Sequence, residues 1–393
     1  MKLKRLNFYF ELFEKGRVIP HYESIRNNTN NKIIYGNKTF SENGNSEIVV
    51  VGCVPPYFDI KINKEDRCNA FEIPSRLGFM ANLEGYSNVD DYMKDNLKRQ
   101  RKQINRKIRR LEQCFDISYK SYYGEIKREE YDMLFDSFRL MIQKRFSQKG
   151  MQHEGLKRWK EYKQNVYDLI LLKKATLFTI CVKDKPIAIS LGYNYQNILV
   201  STICSYDIDY AKFGLGQIDT VKNVEWCLNN GFDRYDMMWG DLRYKREWSN
   251  VIFTYKSHII YCGASIGKMA TAYVVGRLAV LKKLLSAKKS QFFSWKLISS
   301  LQREKAPLKD EDFKLQVQAI PIDNIVNRDE LLKLNIEELQ QYSFLREKVY
   351  DFQYINFEHS SSTQVYKASN NTYFIEGKSN KMKLEYTKSP MGT

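Results

Sequence analysis

The chain has 393 residues, 43% of them hydrophobic and 14% aromatic, and a formal charge of +17. That length accommodates two ordinary domains or one domain with appendages, and the apolar content excludes a disordered chain. The charge favours anionic partners (phosphorylated small molecules, nucleic acid or an acidic membrane face) without choosing among them.

The N-terminal MKLKRLNFYFELFEKG begins basic, as a signal peptide does, but Asn7, Glu11 and Glu14 interrupt its apolar core and no small-residue cleavage site follows. Residues 1–90 read as strand-rich, with EIVVVGCVPPYFDI as a buried run ending in a Pro-Pro stop beside the polar, turn-rich NNTNNKIIYGNKTFSENGN. Ser87, Asn88 or Asp90 caps the next helix. In KDNLKRQRKQINRKIRRLEQCF, Leu97, Ile104, Ile108 and Leu111 recur at spacings of seven, four and three, a narrow apolar stripe in a segment otherwise dominated by Lys and Arg. Such a helix is either a solvated face or a rail for phosphate. Two more helices follow, in REEYDMLFDSFRLMIQKRFSQKG and EGLKRWKEYKQNV.

An antiparallel meander comes next: ATLFTICVKD, PIAISLGYN and ILVSTICSYD, joined by the turns Asp184-Lys185-Pro186 and Tyr195-Gln196-Asn197. After it come YAKFGLGQID, a helix over GQIDTVKNVEWCLNNG, the short strand RYDMMWG, a turn or short helix in YKREWSN, and the strand VIFTYKSHIIYC. This order is an α+β plan rather than an alternating doubly wound one. Residues 265–305 read as one amphipathic helix with Lys and Arg on one side, DELLKLNIEELQQYSFLREKVYDF as helical, and STQVYKASNNTYFIEGKSNKMKLEYT as hairpin strands. No uncharged apolar run reaches the length of a membrane span; the best candidate carries Lys268, Arg277, Lys282 and Lys283.

Several familiar chemistries are excluded. The glycine pair Gly214 and Gly216 lacks the third glycine of a dinucleotide fingerprint, and GASIGKM has Met269 where a P-loop needs Ser or Thr. His153-Glu154 lacks the second histidine of a zinc protease, and four histidines in all leave little for a histidine metal site or triad. The seven cysteines (53, 68, 114, 181, 204, 227 and 262) are odd in number and form no CxxC pair. No disulfide framework, no zinc and a reducing, cytoplasmic compartment are therefore expected. What remains is a pair of glycines ahead of a helix. Glycine lets backbone N–H groups approach a ligand, and the helix adds its unsatisfied N–H groups and positive dipole end. Gly214-Leu215-Gly216, supplemented by Lys212, is a competent pyrophosphate cradle, unless it is only a tight turn into a helix.

Three stretches in this order resemble the GNAT-type acyltransferases, in the CelD/BcsL-like branch related to the FemABX peptidyltransferases. They are LKRQRKQINRKIRRLEQ, KDKPIAISLGYNYQNILVSTICSYDIDYAKFGLGQ, and NNGFDRYDMMWGDLRYKREW with its Gly, Tyr-Asp, Gly, Tyr-Lys and aromatic. The resemblance spans roughly Asp90 to Trp248, and departs from the family where Ala211 stands in place of Gln or Arg. It implies a GNAT-like, mixed, mostly antiparallel sheet flanked by helices. The expected division is a degenerate first lobe over 1–90, a transferase lobe over 91–262, an amphipathic helical segment over 263–306 and a C-terminal extension over 307–393.

The implied activity is direct attack of an amine on an acyl-CoA thioester, acetyl-CoA in the first instance, in a ternary complex with no covalent enzyme intermediate. The amine belongs to a polysaccharide or cell-envelope precursor. Lys212, Phe213, Gly214, Leu215, Gly216 and Gln217 then hold the donor; Asp207, Asp241 and Tyr244 are catalytic candidates, with Asp209 beside Asp207; Asp236, Trp239, Gly240 and Lys245 meet the acceptor. No metal is implied. The basic helix keeps open aminoacyl transfer from charged tRNA. The 265–305 helix keeps open contact with an anionic membrane at its inner face, including a non-catalytic scaffold there.

Overall fold

In the computed structural model the described residues are 2–17, 19, 21–36, 47–64, 67–148, 150–151, 153–292, 315–321 and 331–388. The first part of the chain supplies strands β1 (Lys2–Asn7), β2 (Tyr22–Asn27), β3 (Ile33–Gly36), β4 (Glu47–Val54), β5 (Phe58–Ile62) and β6 (Cys68–Asn82). Helices α1 (Val89–Asn96) and α2 (Lys98–Cys114) follow, with Asn88 Oδ1 capping α1 by accepting the Asp91 N–H at 2.9 Å. Then come β7 (Ile117–Tyr122), α3 (Arg128–Ser147), α4 (Trp159–Leu171) and the expected meander β8 (Ala175–Val182), β9 (Lys185–Tyr195) and β10 (Ile198–Tyr206). Helix α5 (Leu215–Asn229), β11 (Arg234–Trp239), α6 (Arg243–Trp248), β12 (Val251–Cys262) and α7 (Ile266–Phe292) complete this body.

Nine strands form one sheet in the order β1-β4-β12-β6-β11-β10-β9-β8-β7, a mixed α+β arrangement with helices on its faces. Among the described residues, only β1 with β4 and β10 with β11 pair in parallel. The sheet runs unbroken across residue 90: β6, from the first stretch, lies between β12 and β11 and pairs antiparallel with both. A small sheet, β3-β2-β5, stands apart. The apolar stripe of α2 is buried as its spacing requires, with Leu97, Ile104 and Leu111 inside and Arg99, Lys102, Arg106 and Arg109 outside.

The C-terminal region carries the five-stranded sheet β13 (Leu315–Pro321), β17 (Lys381–Lys388), β16 (Thr372–Glu376), β15 (Gln364–Lys367) and β14 (Leu332–Leu334), in that order. The hairpin expectation for the tail holds. The long helix expected from Asp329 to Phe352 does not: helix α8 covers only Arg346–Asn356, after a strand and a 3-10 turn over Gln340–Leu345. The helix expected over 265–305 is described as far as Phe292.

The expectation of unpaired cysteines fails at one place. Cys68 and Cys262, 194 residues apart, face each other directly in the β6–β12 register and are joined by a disulfide, with His21 Nδ1 3.5 Å from each sulfur. Sequence spacing cannot reveal a pair that only strand register brings together. Cys53, Cys114, Cys181 and Cys227 are buried free thiols, as expected. Closing so long a loop constrains the unfolded chain, so Cys68→Ser is expected to cost about 2–4 kcal/mol in urea unfolding without reductant. An unchanged midpoint would show that the bond constrains nothing.

Candidate active site

The site begins where two parallel strands part. β10 and β11 pair only over Ile198–Val200 and Arg234–Asp236. Beyond that point β10 shifts register against β9 between Ser201 and Ile203, and β11 shifts against β6 between Asp236 and Trp239. Met238 sits at φ +61°, a conformation non-glycine residues avoid. The fork opens into a cavity of about 510 Å³. Ser201, Thr202, Ile203 and Cys204 line one side, Met237, Met238 and Trp239 the other, and Tyr244, Lys245 and Trp248 of α6 close the end.

At the other end lies the glycine pair. Gly214 adopts φ +71°, ends a 3-10 turn over Ile208–Phe213 and starts α5. The positive φ is what demands glycine; a Cβ there would also meet Lys107 Cδ and Nζ at 2.9 Å, which that flexible side chain could relieve by swinging aside. A Cβ on Gly216 would lie 3.3 Å from the Tyr206 ring. Among the described residues no side chain caps α5, and its first turn carries no acidic residue, which leaves its first N–H groups without a side-chain acceptor. Gly214, Gly216 and Gln217 line the cavity together with Lys107 and Arg145. Lys107 Nζ donates to Gln217 Oε1 at 2.8 Å; burial and the neighbouring Arg106 push its pKa down. Arg145 lies over the Tyr206 ring and donates to the Cys204 carbonyl at 3.1 Å. Two cations and a helix N-terminus thus converge where the expected diphosphate cradle lies.

In the middle of the cavity wall is Asp219, 2% exposed. Its carboxylate accepts from Ser190 Oγ at 2.7 Å and from Cys204 Sγ at 3.3 Å, while Asn223 Nδ2 holds Ser190 Oγ at 3.1 Å. Burial raises its pKa to about 6, against the lowering effect of these donors. Desolvation, reinforced by the nearby carboxylate, raises the Cys204 thiol and so favours its protonated form. Lys245 is also buried; Nζ donates to the Trp239 carbonyl at 2.6 Å, and burial lowers its pKa to about 8 although Asp236 opposes this.

The structure thus gathers Gly214, Gly216, Gln217, Trp239, Tyr244 and Lys245 on one cavity. The remaining candidates stand elsewhere. Asp207 caps the 3-10 turn by accepting the Asp209 N–H at 3.2 Å and pairs with Lys144 at 3.3 Å; Asp209 binds the same lysine at 2.8 Å. Asp241 is paired with Arg246 on both carboxylate oxygens and held low by it. Lys212 pairs with Asp351 of α8 at 3.1 Å, and Phe213 and Leu215 are core residues. Asp236 lies fully buried behind the fork, and Gly240 adopts φ +101°, a conformation that favours glycine. Asp219, Cys204, Lys107 and Arg145 were not singled out by sequence. Asp219 and Lys107 lie within stretches that were, the glycine segment and the basic helix; nothing marked Arg145.

The mouth continues over Gln217 and Tyr244 into a shallow groove with Gln100, Gln103 and Arg243. From there α2 presents Arg99, Lys102, Arg106 and Arg109.

Residues 98–246 match the model of a family described as an acetyltransferase (GNAT) domain. No curated protein matches the chain. Among solved structures, FemX is 9% identical over 58% of this chain and 74% of its own, with a TM-score of 0.39. L-PGS from Bacillus licheniformis is 12% identical over 59% and 73%, with a TM-score of 0.34. A conserved protein of unknown function from Bacteroides thetaiotaomicron is 10% identical over 55% and 70%, with a TM-score of 0.37.

Asp219 gives this geometry a solution test. A carboxyl raised from 3.8 to about 6 binds its proton more tightly folded than unfolded. Its contribution therefore favours the fold at low pH and is lost as pH rises from about 4 to about 6, by about 3 kcal/mol. Asp219→Asn is expected to lack that loss. Parallel pH–stability curves for the two proteins across this window would contradict the assignment.

Proposed function

We propose that this chain, an acyltransferase whose residues 98–246 form a GNAT-type domain, moves an acyl group from an acyl-CoA to an amine bound in the same cavity. The observation that carries the reading is the convergence on one cavity of Gly214, Gly216, the uncapped start of α5, Lys107 and Arg145, opposite the fork between β10 and β11. The donor's diphosphate lies on this cradle, and its arm runs toward the gap between β10 and β11. The acceptor occupies the end walled by Trp239, Tyr244 and Lys245, whose aromatic faces and buried ammonium suit an amino sugar or another amine-bearing polysaccharide or envelope precursor.

The step is direct. The amine nitrogen forms a bond to the thioester carbon, the C–S bond breaks, and the thiolate leaves. Asp219, ionised above a pKa of about 6, receives the proton that the amine loses. Tyr244, 40% exposed at the mouth of the cavity yet desolvated enough to raise its phenol pKa, stays protonated and supplies the proton for the leaving sulfur. Lys245 stabilises the charge that develops on the carbonyl oxygen.

A second reading rests on the basic face of α2 at the mouth: the donor is an aminoacyl-tRNA whose backbone follows Arg99, Lys102, Arg106 and Arg109. Calorimetric titration separates the two. With acetyl-CoA as donor, binding is saturable below millimolar concentration, and Lys107→Glu or Gly216→Leu weakens it at least tenfold. Asp219→Asn leaves donor affinity unchanged while lowering kcat about 100-fold or more, and the wild-type rate rises with pH through about 6. No saturable binding of acetyl-CoA, together with salt-dependent tRNA binding that Arg106→Glu/Arg109→Glu abolishes, transfers the donor role to tRNA.

A further inference from the structure

Helix α7 is held to the sheet by a narrow face. Ala272 and Gly276 are buried, and a Cβ on Gly276 would fall 2.7 Å from the Phe71 ring and 3.1 Å from Ile259 Cδ1, so the helix backbone rests directly on β6 and β12. One side of the helix therefore meets its need for burial. The opposite side does not look like the outside of a soluble protein. Ile266 is 78% exposed and Leu278 58%, and Met269, Tyr273, Val274 and Leu281 are exposed with them. At 3.6 residues per turn these six positions spread over about half the circumference. Isolated exposed apolar residues are ordinary, but a continuous stripe of this length marks a surface that something covers.

Charge identifies what covers it. The sequence of α7 contains Lys268, Arg277, Lys282, Lys283, Lys288 and Lys289 and no Asp or Glu. Arg277 projects on the exposed side among the apolar residues, its guanidinium over the Tyr273 ring at 4.9 Å. A broad apolar face on a helix whose charges are all positive is the pattern of a helix lying flat at an anionic lipid–water interface, where methyl groups enter the acyl boundary and the cations meet lipid phosphates. No helix among the described residues is long and apolar enough to cross a membrane. We infer that the outer face of α7 docks the protein on an anionic bilayer surface. The inference stands apart from the catalytic reading: no residue of α7 whose side chain is described lines the cavity.

Flotation of the full chain with lipid vesicles tests it. The protein is expected to float with phosphatidylcholine vesicles containing phosphatidylglycerol and at least tenfold less with phosphatidylcholine alone, and to release as salt rises. Val274→Glu/Leu278→Glu is expected to abolish flotation, and Arg277→Glu to weaken it about fivefold or more, since each basic residue near an anionic surface contributes about that factor. Circular dichroism and acetyl-CoA binding of both variants stay as in the wild type, which separates loss of docking from loss of fold or of donor binding. Wild type that stays with the unbound fraction in both lipid mixtures overturns the inference. So does flotation that is indifferent to the double variant, or a self-association in light scattering that Leu278→Glu removes while no vesicle is bound.

Discussion

The fork depends on one buried carboxylate. Asp236 is fully enclosed, and its oxygens accept from Tyr57 at 2.5 Å, Tyr255 at 3.1 Å, Tyr9 at 3.2 Å and the Met238 N–H at 2.6 Å. Burial raises its pKa, and these donors pull it back. Ionised and unpartnered, such a group would cost several kcal/mol; four converging donors offset that. The bond to Met238 does more than satisfy an acceptor. It holds Met238 at φ +61°, just where β11 loses register with β6 and turns away from β10. A strained residue persists only when its surroundings over-determine it, and here three phenols and a carboxylate do so.

That constraint makes the first ninety residues part of the site. Tyr9 and Tyr57 come from the start of the chain, Tyr255 from β12, and the hydroxyls of Tyr57 and Tyr255 bond that of Tyr9 at 2.9 and 3.1 Å. Trp239, next along β11, packs its ring against Tyr9 and Tyr255 on one side and lines the cavity on the other. The cradle is built by a different means. The apolar stripe of α2 packs inward, which turns Lys107 toward Gly214 and Gln217 and leaves the remaining cations along the mouth. Much of the excess positive charge of the chain thus stands on two helices: α2, beside the cavity, and α7, on the outer surface.

Local pattern was legible in the sequence, and long-range geometry was not. Period-two alternation and turn residues sufficed for the β8–β10 meander, the seven-four-three spacing for the buried side of α2, and the glycine pair for the start of α5. The fork could not be read, because it consists of three residue pairs of parallel contact followed by two register shifts, and neither leaves a composition signal. Asp207 and Asp241 were attractive as acids at strand ends, but Lys144 and Arg246 occupy them. In sequence Asp219 carries no local signal: it is one polar residue in the first turns of a helix. Its distinction arises only when β9 brings Ser190 and β10 brings Cys204 against it. The Cys68–Cys262 bond and the place of β6 in mid-sheet are likewise facts of register.

Determination of the structure with bound CoA tests the central claim most directly. Diphosphate oxygens are expected within hydrogen-bonding reach of the backbone N–H groups at Leu215 and Gly216 and of Lys107 Nζ, with the sulfur between β10 and β11 beside Asp219. CoA bound away from that fork, or a cradle still filled by Lys107 and Gln217 at saturating CoA, would contradict it.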